Sequence, residues 1–298
     1  MKKNERRSLS GSRKNQSKKF VGSRKKEDKK FSIKKNSQDP GSEPPRYNLK
    51  QRKQDSAGPK KPSDSIRLNK YIANAGVCSR RDADALIASG KIIVNGKVIT
   101  QLGHKVNKSD TVVFDGKVLQ REKLVYVLLN KPKDFITTMD DPENRRTVMQ
   151  LVTNACDERI YPVGRLDRNT TGLLLFTNDG EVATKLSHPS RNIRKIYQVE
   201  LGKPITKVDF DKITEGLTLE DGEVKVDDLA IVSSDKKTLG IEIHVGRNRI
   251  VRRIFEHLRY EVVKLDRVVY AGLTKKDLKR GRWRYLTEKE VVRLKYLK

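Results

Sequence analysis

The 298-residue chain is short of several residue types, and each shortage removes a class of function. Two cysteines, Cys78 and Cys156, are too few for a disulfide framework or a four-thiolate zinc site. Four histidines, His104, His188, His244 and His257, fall at no metal-ligand spacing. No apolar run approaches the ~18 residues that a membrane helix needs. The basic N-terminus lacks the apolar core of a secretory signal. A reducing, cytoplasmic setting is the expectation. Acidic residues are also in deficit: 38 Asp and Glu face 66 Lys and Arg, a formal net charge of +28. That imbalance points to a polyanionic partner, and nucleic acid is the expected one.

The charge is uneven. Residues 1–65 hold 21 Lys and Arg against 7 Asp and Glu, a net of +14, and the other 233 residues carry the same net charge. The first 65 contain only six Leu, Ile, Val and Phe, namely Leu9, Phe20, Val21, Phe31, Ile33 and Leu49. So little apolar surface does not offset the entropy of ordering a chain. Residues 1–64 are expected to be a disordered basic tail, acting either as an electrostatic tether to RNA or as a solubilising extension.

Order is expected from Ser65. Leu68, Tyr71, Ile72 and Ala75 fall at helical spacing, and Gly76 is a stop signal. Ser79 and Asp82 form an S-x-x-D box that opens a second helix burying Ala83, Leu86 and Ile87 and ending at Gly90. Asn95-Gly96 between apolar runs signals a hairpin. Val112 and Phe114 continue a strand to Asp115-Gly116. Arg80 and Arg81 sit in the first turn of the second helix, where the dipole favours anions, so a bound phosphate would resolve the conflict. The alternative is a solvated basic face. The stretch "RLNKYIANAGVCSRRDADALIASGKIIVNGKVI" resembles the alpha-L RNA-binding module of a small-subunit ribosomal protein. The resemblance implies RNA docking over residues 65–123 through the face bearing Arg80, Arg81 and Lys91. It implies no catalysis.

Residues 124–298 alternate irregularly between strands (from Tyr126 to Leu129, Lys195 to Leu201, and at Leu239, Ile241, Ile243 and Val245) and helices (Glu181 to Leu186, Arg249 to Leu258). This favours an α+β domain on a mixed, mostly antiparallel sheet. Asp179-Gly180 reads as a turn. Thr287 and Glu290 form a capping box, and Trp283, between Arg282 and Arg284, reads as an edge packing residue rather than an RNA stacker.

Asp167 sits between Arg165 and Arg168 in a polar loop running into Leu173-Leu174-Leu175-Phe176. The loop with its strand, "GRLDRNTTGLLLFTNDG", resembles the signature of the rRNA pseudouridine synthase family (the RsuA-type branch). Two further motifs follow in family order, "KIYQVEL" and "VGRNRIVRRIFEHL". Asn169 stands where the family more often has Asp, and Ile250 where it has Gln or Glu. The "GRNR" stretch is closer to the branch acting on the large subunit. The resemblance implies a pseudouridine synthase catalytic domain and isomerisation of uridine in bacterial ribosomal RNA. The ribose-to-N1 bond of uracil breaks, the base turns, and a bond to C5 forms. It implies no cofactor and no metal, and a monomer is expected. Asp167 would be the essential carboxylate, acting on ribose or base or as a proton acceptor. Arg252 would hold it ionised, and Tyr197 would stack on the extruded base. Arg165 would support that extruded state, and Arg247 and Arg249 would meet phosphate. Without the resemblance, Asp167 is a turn residue, Tyr197 a sheet aromatic and Arg165 a loop ion-pair partner. Two other functions compete: a non-catalytic rRNA-binding assembly factor, and an RNA-cleaving hydrolase pairing Asp167 with Asp179. The strand expected between those two carboxylates argues against the second.

Overall fold

Turn residues interrupt the first part of the ordered chain every few positions, so its elements are short. The computed structural model describes residues 65–297, and the expectation of a disordered tail over residues 1–64 lies outside them. The elements are β1 (Ile66–Arg67), α1 (Leu68–Asn74), α2 (Arg80–Ala88), β2 (Ile92–Val94), β3 (Lys97–Val98), β4 (Lys105–Val106), β5 (Val112–Phe114) and β6 (Lys117–Val118). Four strands form an antiparallel sheet in the order β3-β2-β5-β6, while β1 pairs with β4. Its two tight turns, Asn95-Gly96 (φ 49° and 78°) and Asp115-Gly116 (φ 50° and 71°), are left-handed at both residues, as a two-residue hairpin requires. Ser79 caps α2, accepting from the Asp82 N–H at 3.3 Å. Leu68 and Ile72 from α1 meet Ala83 and Ile87 from α2 over Ile92, Val94, Val106 and Val112. Leu68 and Ile72 are fully buried, worth about 1.5–3 kcal/mol each.

The larger part comprises β7 (Tyr126–Lys131), β8 (Tyr161–Pro162), β9 (Thr171–Thr177), α3 (Gly180–Ser187), β10 (Lys195–Leu201), α4 (Lys207–Glu215), β11 (Leu217–Leu219), β12 (Gly222–Val224), β13 (Asp228–Ile231), β14 (Thr238–Ile243), α5 (Ile250–His257), β15 (Val262–Tyr270), β16 (Leu273–Thr274), β17 (Trp283–Tyr285) and α6 (Glu288–Tyr296). Its main sheet runs β13-β14-β10-β15-β9-β7-β17, with β8 added to β9 and β16 to β15. Every pairing in this sheet is antiparallel except β9 with β15. This is the expected mixed, mostly antiparallel α+β arrangement.

β9 reads as a continuous apolar run because both of its faces are covered. Leu174 and Phe176 join one core with Val199, Ile254 and Phe255. Leu173 and Leu175 join a second with Leu128, Leu186 and Leu294. Gly172 is fixed by the parallel pairing: its φ is +105°, and a Cβ there would lie 2.3 Å from the Arg267 carbonyl oxygen. Only glycine lets the two strands close.

The helices expected from apolar spacing and caps are present, α4 is an addition to them, and the turn at Asp179 needs a correction. Asp179 is not a simple turn residue. It is the buried N-cap of α3, accepting from the Glu181 and Val182 N–H groups at 3.0 and 3.2 Å and from the Tyr126 hydroxyl at 2.7 Å. Free helix N–H groups attract a carboxylate, and the core closes over it. The Thr287–Glu290 capping box is present. Trp283, on edge strand β17, packs against the sheet core and edge-on to Tyr285 at 5.3 Å. Arg284 is held by Glu290 at 2.8 Å. The small module meets the larger part through the Lys70–Glu181 ion pair (3.2 Å) and through Glu122, whose carboxylate accepts from the Arg159 N–H and the Asn178 amide.

Candidate active site

The loop of residues 164–170 joins β8 to β9 and is held from below by its own backbone oxygens. Lys131, at the end of β7, is fully buried. Its Nζ donates to the carbonyls of Asp167 (3.0 Å), Arg168 (3.2 Å), Thr170 (2.8 Å) and Pro132 (3.1 Å). Burial pushes that ammonium down to about 8, with Asp167 and Asp134 pulling it back up. The Thr137 hydroxyl bonds both backbone groups of Leu166, donating to its carbonyl at 2.8 Å and accepting from its N–H at 3.2 Å. The Asp134 N–H donates to the Arg168 carbonyl at 3.0 Å. With the backbone so tied, the Asp167 side chain has little freedom. It remains 37 % exposed and accepts from the Thr170 hydroxyl at 3.4 Å.

Asp167 opens into a cavity of about 210 Å³. Tyr197, Arg165, Arg247 and Arg249 line the same cavity. It is smaller than the roughly 300–1,000 Å³ of drug-sized sites, and suits one ring rather than a long ligand. Tyr197 is 9 % exposed, on β10, in register with Arg267 of β15. Arg165 lies exposed at the cavity rim, and among the described residues no ion pair holds it, so the loop salt bridge does not form. Its neighbour Arg168 pairs with Asp134 at 3.4 Å instead.

The cation facing Asp167 differs from the expected one. Arg249, not Arg252, makes the ion pair, with Nη1 3.8 Å from the Asp167 carboxylate. Arg249 is the N-cap of α5, at φ +46°, and this left-handed turn brings its side chain back over the loop. Arg252 sits one turn further into α5, 8 % exposed, and spends Nη1 on the Val262 carbonyl at 2.9 Å. Burial lowers its affinity for its proton, as does Arg249, while Asp167 opposes them; its charge is felt by Asp167 without contact. Its Nε is buried without a partner. Arg247 is engaged by Asp221 at 3.4 Å and by the carbonyls of Gly222 and Glu223, which leaves it less free for phosphate than its position in the motif suggested.

Three side chains of this site escaped the reading of the sequence. Lys131 comes just after the apolar run from Tyr126 to Leu129, and its one signal is an ammonium closing an otherwise buried run. Lys195 lies two residues before Tyr197, and Arg267 is buried on β15; both line the cavity. Strand alternation puts Lys195 on the face of Tyr197, which was legible. What Arg267 faces depends on a register shift between β10 and β15.

A second, larger hollow of about 1240 Å³ borders both parts of the chain. Lys70, Arg80 and Arg81 of the small module line it with Arg159, Arg165 and Arg191 of the larger part. Arg165 therefore borders both hollows. Lys91 is exposed at the entry to β2 and does not line this groove.

Comparison with known proteins gives a consistent picture. Residues 125–257 match the family described as RNA pseudouridylate synthase, and residues 66–112 match the S4 domain. Ribosomal large subunit pseudouridine synthase B of Bacillus subtilis (strain 168) is 46 % identical over 235 residues, covering 78 % of this chain and 96 % of that protein. The protein of the same description from Vibrio cholerae is 40 % identical, covering 78 % and 75 %. The dual-specificity RNA pseudouridine synthase RluF of Escherichia coli (strain K12) is 34 % identical, covering 78 % and 79 %. A solved pseudouridylate synthase superimposes with a TM-score of 0.55 at 27 % identity, over 77 % of this chain and 99 % of that one.

Proposed function

The chain belongs to the RNA pseudouridylate synthase family, in the RsuA-type branch with an S4 domain ahead of the catalytic domain, and from that premise we propose how its residues divide the work. The reaction is isomerisation of uridine to pseudouridine in RNA. The substrate we assign is a uridine of large-subunit ribosomal RNA, supported by the description of the Bacillus subtilis relative and by the "GRNR" stretch.

Residues 65–123 serve as the docking module and residues 124–298 as the catalytic domain. Asp167 is the catalytic carboxylate. A single observation carries this: its carboxylate, on a loop pinned by Lys131 and Thr137, faces a ring-sized cavity lined by Tyr197, with a guanidinium 3.8 Å away. A uridine in folded RNA must leave its stack to enter, at a cost of a few kcal/mol. Tyr197 offers the extruded base an aromatic wall. Arg249 balances the charge of Asp167 directly, and Arg252 does so from inside the protein. Arg165, at the junction of cavity and groove, holds the backbone of the extruded nucleotide. Arg80 and Arg81, at the N-terminus of α2, take phosphates of the surrounding RNA, with Lys91 and Arg247 at the margins. The chain works in the cytoplasm as a monomer without cofactor or metal. Among the described residues no helix is long and apolar enough to cross a membrane, and no group of three His, Cys, Asp or Glu gathers to hold a metal.

The test is Asp167→Asn. It should abolish pseudouridine formation in ribosomal RNA while RNA affinity stays within about twofold of the parent. An unchanged rate would remove Asp167 from the mechanism. Mapping pseudouridine in ribosomal RNA from cells with and without the protein identifies the nucleotide, and a loss confined to the small subunit would overturn the assignment to the large one.

A further inference from the structure

Of the cations that line the candidate cavity, Lys195 and Arg267 have no part in the reaction geometry above. Arg267 is 3 % exposed, in the middle of β15. Its Nε donates to the Leu173 carbonyl at 2.8 Å, and its guanidinium lies 4.3 Å from the Tyr270 ring centroid. Those contacts leave Nη2 sealed from solvent with no hydrogen-bond partner. No carboxylate pairs with this guanidinium among the described residues. Lys195 donates from Nζ to the carbonyls of Ile193 (3.0 Å) and His244 (2.6 Å), which leaves one of its three N–H groups uncommitted. Burial, and then Arg267 itself, push that ammonium down to about 8 against the opposing pull of Asp227, so the two cations are close enough to repel. Buried charge without a counter-charge is costly, and two like charges beside one small cavity compound the cost. Such an arrangement is sustained when the bound ligand brings negative charge at that point.

We propose that Arg267, supported by Lys195, stabilises the uracil anion released when the glycosidic bond opens. This rests on the reading of the site as the place of uridine isomerisation. The C1′–N1 bond breaks with its electron pair leaving on uracil, where the N1 charge spreads onto O2 and O4. Asp167 faces the electron-poor C1′. The anion turns and bonds to C1′ through C5; C5 gives up its proton and N1 takes one up, so composition and oxidation state are unchanged. Donors fixed in place where charge develops act without reorganising, and this is among the largest catalytic effects proteins achieve. The register places Arg267 between Tyr197 on β10 and Gly172 on β9, so the donor that meets the anion and the ring that flanks it occupy adjacent strands.

The experiment compares RNA carrying uridine or 5-fluorouridine at the target position. Single-turnover loss of the parent nucleoside is followed by chromatography of nuclease digests. Fluorine stabilises the departing anion, so less help is needed from the protein. Arg267→Met should slow the uridine substrate about 100-fold and the fluorinated one by a distinctly smaller factor. Arg267→Lys should recover part of the loss. Lys195→Met should show the same pattern with a smaller factor, and it decides the matter alone if Arg267→Met fails to fold. Equal slowing of both substrates would mark a structural role and overturn the proposal. So would weakened RNA binding with an unchanged single-turnover rate, the outcome for a cation that holds phosphate. If the parent protein converts neither substrate, the reading of the site itself has failed, a result distinct from both.

Discussion

The ammonium of Lys131 lies directly beneath Asp167, 3.0 Å from its carbonyl oxygen, and the same nitrogen also holds the carbonyls of Arg168 and Thr170. One buried side chain thus sets the shape of the loop that presents the carboxylate. Lys131→Met removes the donor and leaves these carbonyls facing an apolar wall. Stability should fall by on the order of 3 kcal/mol, and turnover should drop with it. Chemical denaturation and initial rates measure the two; a fully stable variant would show that the carbonyls find other partners.

Arg249 and Arg252 should separate by experiment. Arg249 carries the contact with Asp167 but sits at φ +46°, a conformation that costs a non-glycine residue about 1 kcal/mol. Arg249→Gly should therefore raise the melting temperature while lowering the rate of uridine conversion. Arg252→Ala, which removes a side chain 8 % exposed, should lower both. If the two variants move stability in the same direction, the left-handed turn at Arg249 is not a source of strain.

Gly172 has no room for a methyl group against the Arg267 backbone. Gly172→Ala must either separate β9 from β15 or twist a positive φ that alanine resists. The expected cost is on the order of 3 kcal/mol, seen as a lower denaturation midpoint.

Acid should remove a defined part of the stability. Burial works to raise the Asp266 carboxyl, but hydrogen bonds from Arg280, Lys275 and Thr171 outweigh it and hold the group at about 2. The Arg284 guanidinium holds Glu290 at about 2 as well. Both groups bind protons less readily folded than unfolded, so their contribution is complete above the ordinary carboxylate range. It is lost as the pH falls from about 4.5 towards 2. Unfolding followed from pH 6 to pH 2 should show that decline, and it should be shallower in Asp266→Asn.

The groove arginines predict a salt signature. Arg80→Ala or Arg81→Ala should weaken RNA binding almost equally across sequences and flatten the salt dependence by about one released counterion per lost phosphate contact. Deleting residues 1–60 should weaken binding most at low salt. Curves that superimpose at every salt concentration would exclude both phosphate contacts and a tether.

Patterns local in sequence settled much of this protein in advance. Helical spacing at Leu68 and Ile72, the Ser79 cap and the Asn95-Gly96 turn each depend on neighbours within a few residues, so the small module was legible. The run from Leu173 to Phe176 announced a buried strand, and the motif around Asp167 carried the resemblance to the pseudouridine synthase family. The tertiary structure alone decided which charges meet. Arg249 and Arg252 lie on one helix, and only a left-handed turn at its start determines which guanidinium reaches the carboxylate. Lys131, Lys195 and Arg267 come from three separate strands, and their convergence follows from sheet order and register. Long-range electrostatics depends on distance through space, and a chain of residue types holds no record of that distance until it folds.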